Sequence, residues 1–169
     1  ASLTQSNIFG TGKYLSATIN SGTVNQVYSL SYMDPYYTVD GVSRGFDVYM
    51  RDVDASALTV GAYKTSTLGA GVRFGYPLSE RSSVSFGVAA ENVELEVFAN
   101  SPFAYLDFVA NYGTAYSYLP LTAGWAHDSR NSLITTTDGA LTRVTTEVGV
   151  GDLNYYRVSF VQQYFQPLS

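Results

Sequence analysis

The segment that most resembles a catalytic motif is Gly41-Val42-Ser43-Arg44-Gly45, which has the G-x-S-x-G spacing of a nucleophilic serine in hydrolases. Asp107 and the only histidine, His127, follow in the chain order of such enzymes. That chemistry needs a strand before the serine and a helix after it, so that Oγ projects from a sharp turn. Here a turn-rich segment precedes Ser43, and an alternating, strand-like run follows it from Phe46 to Met50. The sequence therefore predicts a glycine-rich strand start and no hydrolase site.

The other acidic and glycine-rich residues lack the spacing of a metal or phosphate site. A zinc site needs three or four converging ligands, whereas this chain has one histidine and no cysteine. Asp52 and Asp54 do not begin a calcium loop, which needs glycine at its sixth position and a terminal glutamate. Glu91, Glu94 and Glu96 could be interpreted as paired acids, but they are more simply charged residues of a strand that runs into a loop. No helix that could bind phosphate is predicted after the glycine pairs Gly10/Gly12, Gly69/Gly71 and Gly149/Gly151. We therefore expect no metal, no cofactor and no enzyme activity.

The composition excludes several classes of protein. The chain has 169 residues, which suits one domain. It is 46% hydrophobic and 15% aromatic, too rich in core-forming residues for intrinsic disorder. Its net charge of −5 argues against a nucleic-acid surface, which is usually basic. Because the chain has neither an initiator methionine nor a signal segment at Ala1, we expect it to be a piece of a longer, processed protein.

Apolar and polar residues alternate with a period of two along most of the chain. The stretch Tyr63–Tyr76 shows this best, because Leu68, Val72 and Phe74 fall on one face and Arg73 on the other. Side chains alternate in this way along a β-strand that has one apolar face. A helix is suggested only at Phe103–Asn111. We predict eight strands, at about 12–20, 26–34, 42–53, 63–76, 82–94, 114–127, 140–150 and 153–166, and a stub at 1–6 that could be the end of a ninth.

The predicted connections alternate between short and long, and the short ones carry the Gly, Pro, Asn or Asp residues of turns. Short turns at one end and long loops at the other are typical of an outer-membrane barrel. The predicted short connections are Asn7–Thr11, Asp34–Gly41, Pro77–Ser82 and Thr135–Gly139, and the long ones are Asp54–Ala62 and Asn92–Gly113.

The placement of charge favours a membrane barrel over a water-soluble β-protein. Only 14% of the residues are charged, whereas the outer face of a soluble sheet needs dense Lys and Glu to prevent association. The residues predicted to face lipid are Phe46, Val48, Met50, Leu68, Val72, Phe74, Val84, Phe86, Val88, Leu121, Trp125, Val144, Val148, Val158 and Phe160. The residues predicted to face a hydrated lumen are Asp47, Arg51, Arg73, Glu91, Arg143, Glu147 and Arg157, while Glu94 and Glu96 are predicted to be lumen and loop charges.

Strand length and aromatic residues agree with a membrane location. A tilted membrane strand needs about 9–11 residues, and every backbone group in hydrocarbon must be paired, so such strands belong to a closed barrel. Tyrosines near strand ends are predicted to form an aromatic girdle at the lipid–water boundary. They are Tyr14, Tyr28, Tyr32, Tyr36, Tyr37, Tyr63, Tyr76, Tyr155 and Tyr156.

Several segments resemble the transmembrane barrel of the BamA family of outer-membrane β-barrel assembly factors. The most specific is Asp34-Pro35-Tyr36-Tyr37-Thr38-Val39-Asp40-Gly41-Val42-Ser43-Arg44-Gly45, which resembles a periplasmic turn and the strand after it. Ser6–Lys13 and Tyr164–Ser169 are similar to the family as well, and Gly75–Glu80 and Thr137–Gly139 lie where it has short periplasmic turns. The resemblance places these residues in turns with a structural role: Phe9, Gly10, Gly12, Asp34, Pro35, Tyr36, Asp40 and Gly41.

The resemblance implies an all-β fold, an antiparallel up-and-down transmembrane barrel with about eight strands present. It would be the first half of a sixteen-stranded barrel, without the preceding POTRA domains, the first strand of the lateral gate or the later strands. The implied function is that of an insertase that folds and inserts β-barrel proteins into the bacterial outer membrane. The implied partners are membrane lipid, unfolded outer-membrane proteins and accessory assembly lipoproteins, with no nucleic acid and no cofactor.

Two other functions are compatible with the alternation. Eight strands suffice for a small closed barrel filled by its own side chains, so the chain could be a self-contained or engineered scaffold without assembly activity. In that case residues 12–20 would pair with residues 153–166. A soluble lipocalin-like binder would also alternate, and it would be recovered in the aqueous fraction without detergent.

Overall fold

A computed structural model describes residues 2–5, 7–57, 62–132 and 134–167, and the strands in these ranges form one antiparallel sheet of nine strands in chain order. Each strand pairs with the strand that precedes it and the strand that follows it, which is an up-and-down arrangement. The strands are β1 (Ser2–Gln5), β2 (Tyr14–Ser21), β3 (Asn25–Asp34), β4 (Ser43–Asp54), β5 (Tyr63–Ser79), β6 (Ser82–Val97), β7 (Ala115–Asp128), β8 (Gly139–Gly151) and β9 (Tyr155–Phe165).

The predicted strands are confirmed, with small shifts at their ends. Each of the eight corresponds to one of β2–β9, and the predicted stub is β1, although Ala1 and Ser6 lie outside the described residues. The helix expected inside the longest loop is α1 (Phe103–Tyr112). Short 3-10 turns occur at Ile8–Gly10 and Ala55–Ala57. Within the described ranges no helix has the length and apolar character needed to cross a bilayer.

The expected separation of short turns and long loops to opposite ends is wrong. The short connections 22–24 and 152–154 lie at the same end of the sheet as the loop 98–114, and the opposite end includes the longer connection 129–138. Two strands also run further than expected. β5 continues through Pro77, where a shift in register accommodates a residue that cannot donate to the ladder. β6 continues to Val97, so the loop predicted from Asn92 begins later. Residues 58–61 of the predicted loop Asp54–Ala62 lie outside the described part.

The register keeps side chains of like character in rows across the sheet. A slip of one residue would turn every side chain of a strand to the other face, so alternating strands fix their pairing strongly. One row contains Leu30, Val48, Ala70, Ala90, Leu119 and Val150. The next row, on the opposite face, contains Ser31, Asp47, Gly71, Ala89, Pro120, Gly149 and Tyr155.

A small apolar core lies where α1 covers one end of the sheet. Val93 and Leu95 of β6 are buried there, at 6% and 5% exposure. Tyr105 of α1 stacks on Tyr63 of β5 with ring centres 4.5 Å apart, and Phe108 meets Tyr116 of β7 edge to face. The helix therefore packs on the face from which Val93 projects, and it holds the strand ends together at that end of the sheet.

The sheet is open, and its two edges are β1 and β9. Among the residues that the structure describes, no pairing joins β9 to β1 or to β2. The pairing of 12–20 with 153–166, which a self-contained eight-stranded barrel requires, is therefore not seen. Instead, β2 pairs with β1 on the side that such closure would use.

Candidate functional site

The register places the two predicted sets of residues on opposite faces of the sheet. On one face, here called the apolar face, Phe46 pairs across to Val72, Val72 to Val88, and Val88 to Leu121. All the residues predicted to face lipid share this face, and many are exposed, such as Phe86 at 59% and Phe160 at 62%. All the residues predicted to face the lumen share the other face, here called the polar face. The lipid and lumen assignments themselves stay predictions.

Glu91 is the centre of the polar face. Its carboxylate accepts a hydrogen bond from the hydroxyl of Tyr49 on β4 and another from Tyr118 on β7, the second at 2.5 Å. The ring of Tyr49 crosses over Gly69 on the intervening strand, where a Cβ would lie only 2.5 Å from Cζ of the ring. A side chain at position 69 would therefore displace Tyr49. The glycine permits a bridge that joins β4 to β6.

A similar arrangement surrounds Glu147 on β8, two strands further on. Glu147 accepts a hydrogen bond from Tyr155 at 2.8 Å and forms an ion pair with Arg157 at 2.9 Å. The ring of Tyr155 lies over Gly149, where a Cβ would be 2.2 Å from Cε1. Tyr155 also meets Tyr118 edge to face, with ring centres 5.9 Å apart. The Glu91 and Glu147 groups therefore form one continuous network across β4–β9.

Asp47 forms the third ionic group of the polar face. It pairs with Arg73 at 3.0 Å and accepts a hydrogen bond from Ser31 at 2.7 Å. Within the described residues, Arg51 and Arg143 share this face without an ion pair of their own. Five of the seven residues predicted to face the lumen are thus brought into cross-strand bonds. The pairing of mixed charges between neighbouring strands is the arrangement expected of a hydrated wall.

Sequence reasoning missed the role of the tyrosines in this network. The sequence predicts that Tyr155 belongs to an aromatic girdle, and it predicts no role for Tyr49. Tyr14, Tyr63 and Tyr155 project from the polar face, whereas Tyr28, Tyr32, Tyr76 and Tyr156 project from the apolar face. The signal that could have found the bridges is a tyrosine placed beside a glycine on the adjacent strand, but this is visible only once the register is known.

Glu94 and Glu96 do not lie with Glu91, contrary to expectation. Because β6 alternates without interruption to Val97, these two carboxylates project from the same side as the apolar face. Val93 and Leu95 take the polar side, where α1 covers them. At this end the apolar face becomes acidic, with Asp52, Asp54, Glu94 and Glu96 around one cation, Lys64, which pairs with Asp54 at 3.4 Å.

The apolar face is therefore a band with charged ends. On β4 the apolar run Phe46–Met50 lies between Arg44 and Asp52. At about 3.3 Å per residue those two residues are about 26 Å apart along the strand, or about 20 Å along the membrane normal at a barrel tilt of about 40°. This height is somewhat below the apolar band of about 25 Å on outer-membrane barrels.

The two turns that resemble the assembly-factor family are tied together at the other end. Asn7 accepts a hydrogen bond from the backbone N–H of Gly12 at 2.6 Å, and Lys13 pairs with Asp34 at 3.1 Å. The hydrogen bond from the Lys13 side chain to Asp34, with a smaller contribution from Tyr32, raises the pKa of Lys13. The remaining residues of the motifs are placed in or next to these turns: Phe9 and Gly10 in the first, and Pro35, Tyr36, Asp40 and Gly41 in the second. Leu168 and Ser169 of the third motif lie outside the described residues.

The residues of the apparent hydrolase motif are kept apart by the fold. Ser43 donates a hydrogen bond to the carbonyl oxygen of Gly75 at 3.4 Å, and two strands separate it from β7, which carries His127. His127 is hydrogen-bonded to Ser82 at 2.8 Å, and Asp107 lies in α1 at the opposite end of the sheet. No group of three potential metal ligands occurs in the ranges described above.

Comparison with known proteins agrees with this architecture. The chain is 38% identical, over its whole length, to the outer membrane protein assembly factor BamA of Neisseria meningitidis serogroup B, of which it spans 23%. The crystal structure of BamA from Haemophilus ducreyi lacking POTRA domains 1–3 superposes with a TM-score of 0.77 and 26% identity, over 93% of this chain and 32% of that one. The Omp85 superfamily domain matches residues 7–169. The chain therefore belongs to the Omp85 superfamily, as a β-sheet wall in the bacterial outer membrane.

Proposed function

We propose that this chain is part of the membrane barrel of a BamA-type insertase, which helps β-barrel proteins to fold into the outer membrane. The observation that carries the proposal is its continuous similarity to an assembly factor, combined with an up-and-down sheet that has one apolar and one ionic face. The chain spans only about a quarter of that relative. The insertion activity is therefore assigned to the whole protein, and we propose that this segment forms part of its barrel wall.

The two faces suggest how the wall works. The apolar face contacts lipid, and the network around Glu91 and Glu147 braces the strands beside a hydrated lumen. A rigid wall would allow a weaker seam elsewhere in the barrel to open and to offer its strand edge to an unfolded client by main-chain pairing. No covalent chemistry is needed, so we propose that the protein acts without catalytic residues, nucleotide or cofactor. Unfolded outer-membrane proteins and accessory lipoproteins are its proposed partners.

Client folding in vesicles tests this function. The full natural chain that carries this segment would be reconstituted into phospholipid vesicles and mixed with an unfolded eight-stranded outer-membrane protein. Folding would be followed by the gel shift between unheated and heated samples. We expect faster folding than in empty vesicles and in vesicles that hold a porin of similar mass. Equal rates in all three would refute the proposal.

The self-contained barrel is disfavoured by the open sheet, and disulfide cross-linking distinguishes the two. Thr18 and Ser159 both project from the polar face of strands that such a barrel would pair. Cysteines at these positions are expected not to form a disulfide within one chain, because no described pairing joins β2 to β9. A positive control is the pair Thr145 and Ser159, which are opposite one another on β8 and β9. Efficient bridging of positions 18 and 159 would support the closed scaffold.

A further inference from the structure

Arg44 is a cation on the apolar face, at the end of the band near the turn 35–42. Its side chain shares a face with Phe46 and Val48, which follow it at alternate positions of β4. A cation at the edge of a lipid-facing surface extends its charged end toward the headgroups. Arg44 therefore lies where the lipid headgroups of one leaflet are expected.

The protein does not neutralise this charge. Asp34 lies directly opposite Arg44 in the register, but its carboxylate is bonded to Lys13 at 3.1 Å and to the backbone N–H of Tyr36 at 3.3 Å. Among the described residues, no carboxylate lies within 4.0 Å of the Arg44 guanidinium, and its buried Nε has no hydrogen-bond acceptor. An unpaired polar group of this kind is costly, so the described residues leave the Arg44 guanidinium without an acceptor or a counter-charge.

Two aromatic rings hold the guanidinium in place. Its Cζ lies 3.8 Å from the centre of the Tyr37 ring and 5.1 Å from that of Phe46. Stacking on a ring uses the flat face of the guanidinium and leaves the terminal Nη–H groups at its edge available. Planar donors in that geometry suit a phosphate or carboxylate, to which arginine can donate two parallel hydrogen bonds. The side chain is thus positioned for an oxyanion that the protein does not supply.

We propose that Arg44, held by Tyr37 and Phe46, binds the phosphate of a glycerophospholipid headgroup in the leaflet at the end of the sheet that carries the turn 35–42. The lipid is favoured over free phosphate because the acyl chains would lie along the apolar band that begins at Phe46. The acidic opposite end, with Asp52, Glu94 and Glu96, would repel such a group, so the site distinguishes one leaflet from the other. This site is independent of client folding and goes beyond the proposed function.

Native mass spectrometry of the full natural chain, titrated with phosphatidylglycerol, tests the site. We expect Arg44→Gln to weaken binding about tenfold, as loss of a charge-assisted hydrogen bond predicts. Arg81→Gln is the matched control, because it removes the same charge at the same end of the sheet from an exposed turn. Binding by that variant should stay within about twofold of the parent. Equal losses in both variants, or none in either, would overturn the proposal.

Two further measurements distinguish the planar donors of arginine from its positive charge alone, and phospholipid binding from the binding of free phosphate. Arg44→Lys keeps the charge but loses the planar donors, so it should bind about threefold more weakly than the parent. This variant also serves if Arg44→Gln fails to fold. Diacylglycerol with the same acyl chains should bind with no preference for the parent over either variant. Full competition by inorganic phosphate, or parental affinity in Arg44→Lys, would contradict a headgroup site built on arginine geometry.

Discussion

The two faces of this sheet are organised in opposite ways. On the polar face, Glu91, Glu147 and Asp47 each have partners on neighbouring strands, and Gly69 and Gly149 leave room for the rings that reach them. On the apolar face most of the side chains predicted to face lipid are exposed. The polar face is therefore specified by directional bonds and close contacts, and the middle of the apolar face mainly by the apolar character of its residues. Substitutions on the two faces should then lower the free energy of unfolding for different reasons.

The largest difference is expected from an arginine placed on either face of β7. Leu121 lies mid-band on the apolar face, whereas the next residue, Thr122, projects from the polar face opposite Glu147. A cation near the midplane of the bilayer costs about 2–4 kcal/mol, so Leu121→Arg should lower the free energy of unfolding in vesicles by that amount. Thr122→Arg can pair with Glu147 and should cost less than about 1 kcal/mol. Urea titration of both variants gives the comparison.

This pair decides the orientation of the sheet. If Thr122→Arg were the more damaging variant and Leu121→Arg nearly neutral, the apolar face would line the interior and the membrane wall proposed here would be wrong. Equal costs in both variants would mean that neither face contacts hydrocarbon. Only the predicted order agrees with lipid on one side and water on the other.

A methyl group at Gly69 should destabilise the polar face by about 1–3 kcal/mol, the usual cost of overpacking. The added Cβ would lie 2.5 Å from the Tyr49 ring, so the ring must move and its bond to Glu91 is lost. In a Tyr49→Leu background Gly69→Ala should cost much less, because the obstructing ring is absent. A double-mutant cycle by urea unfolding measures this coupling. Additive costs would show that the glycine serves another purpose.

Glu91→Gln should cost about 1 kcal/mol. The amide oxygen can still accept one tyrosine hydroxyl, but the charge that strengthens both hydrogen bonds is lost. Glu94→Gln is a matched control on the same strand, exposed and without a hydrogen bond from a described residue, and should stay within about 0.5 kcal/mol of the parent. If both variants lost a similar small amount of stability, the Glu91 carboxylate would not be the group that stabilises the network.

The strands and their faces could be predicted from the sequence because a period of two is a local property. The run from Leu68 to Tyr76 and the charges at Arg73 and Glu147 are enough to predict two unlike faces. The Tyr49–Glu91 bond could not be predicted, because it joins residues 42 positions apart and depends on the register of three strands. The side of Glu94 was misjudged for a related reason. Where β6 ends depends on α1 covering Val93 and Leu95, and that packing is tertiary.

The smallest expected effect concerns the ion pair between Lys13 and Asp34, beyond the end of the apolar band. Its hydrogen bond to Asp34 raises the pKa of Lys13 above its value in the unfolded chain, about 10.4. The folded protein then holds this proton more tightly, so the stabilisation is complete below that unfolded value and disappears as pH rises through the raised pKa. The stability difference between the parent and Lys13→Gln should be constant from about pH 7 to pH 10 and shrink above it. Because the Lys13 side chain is 37% exposed, solvent screens its charge, so the difference is small and falls with added salt. A difference that persists unchanged at about pH 12 would show that the lysine acts through packing and not through its charge.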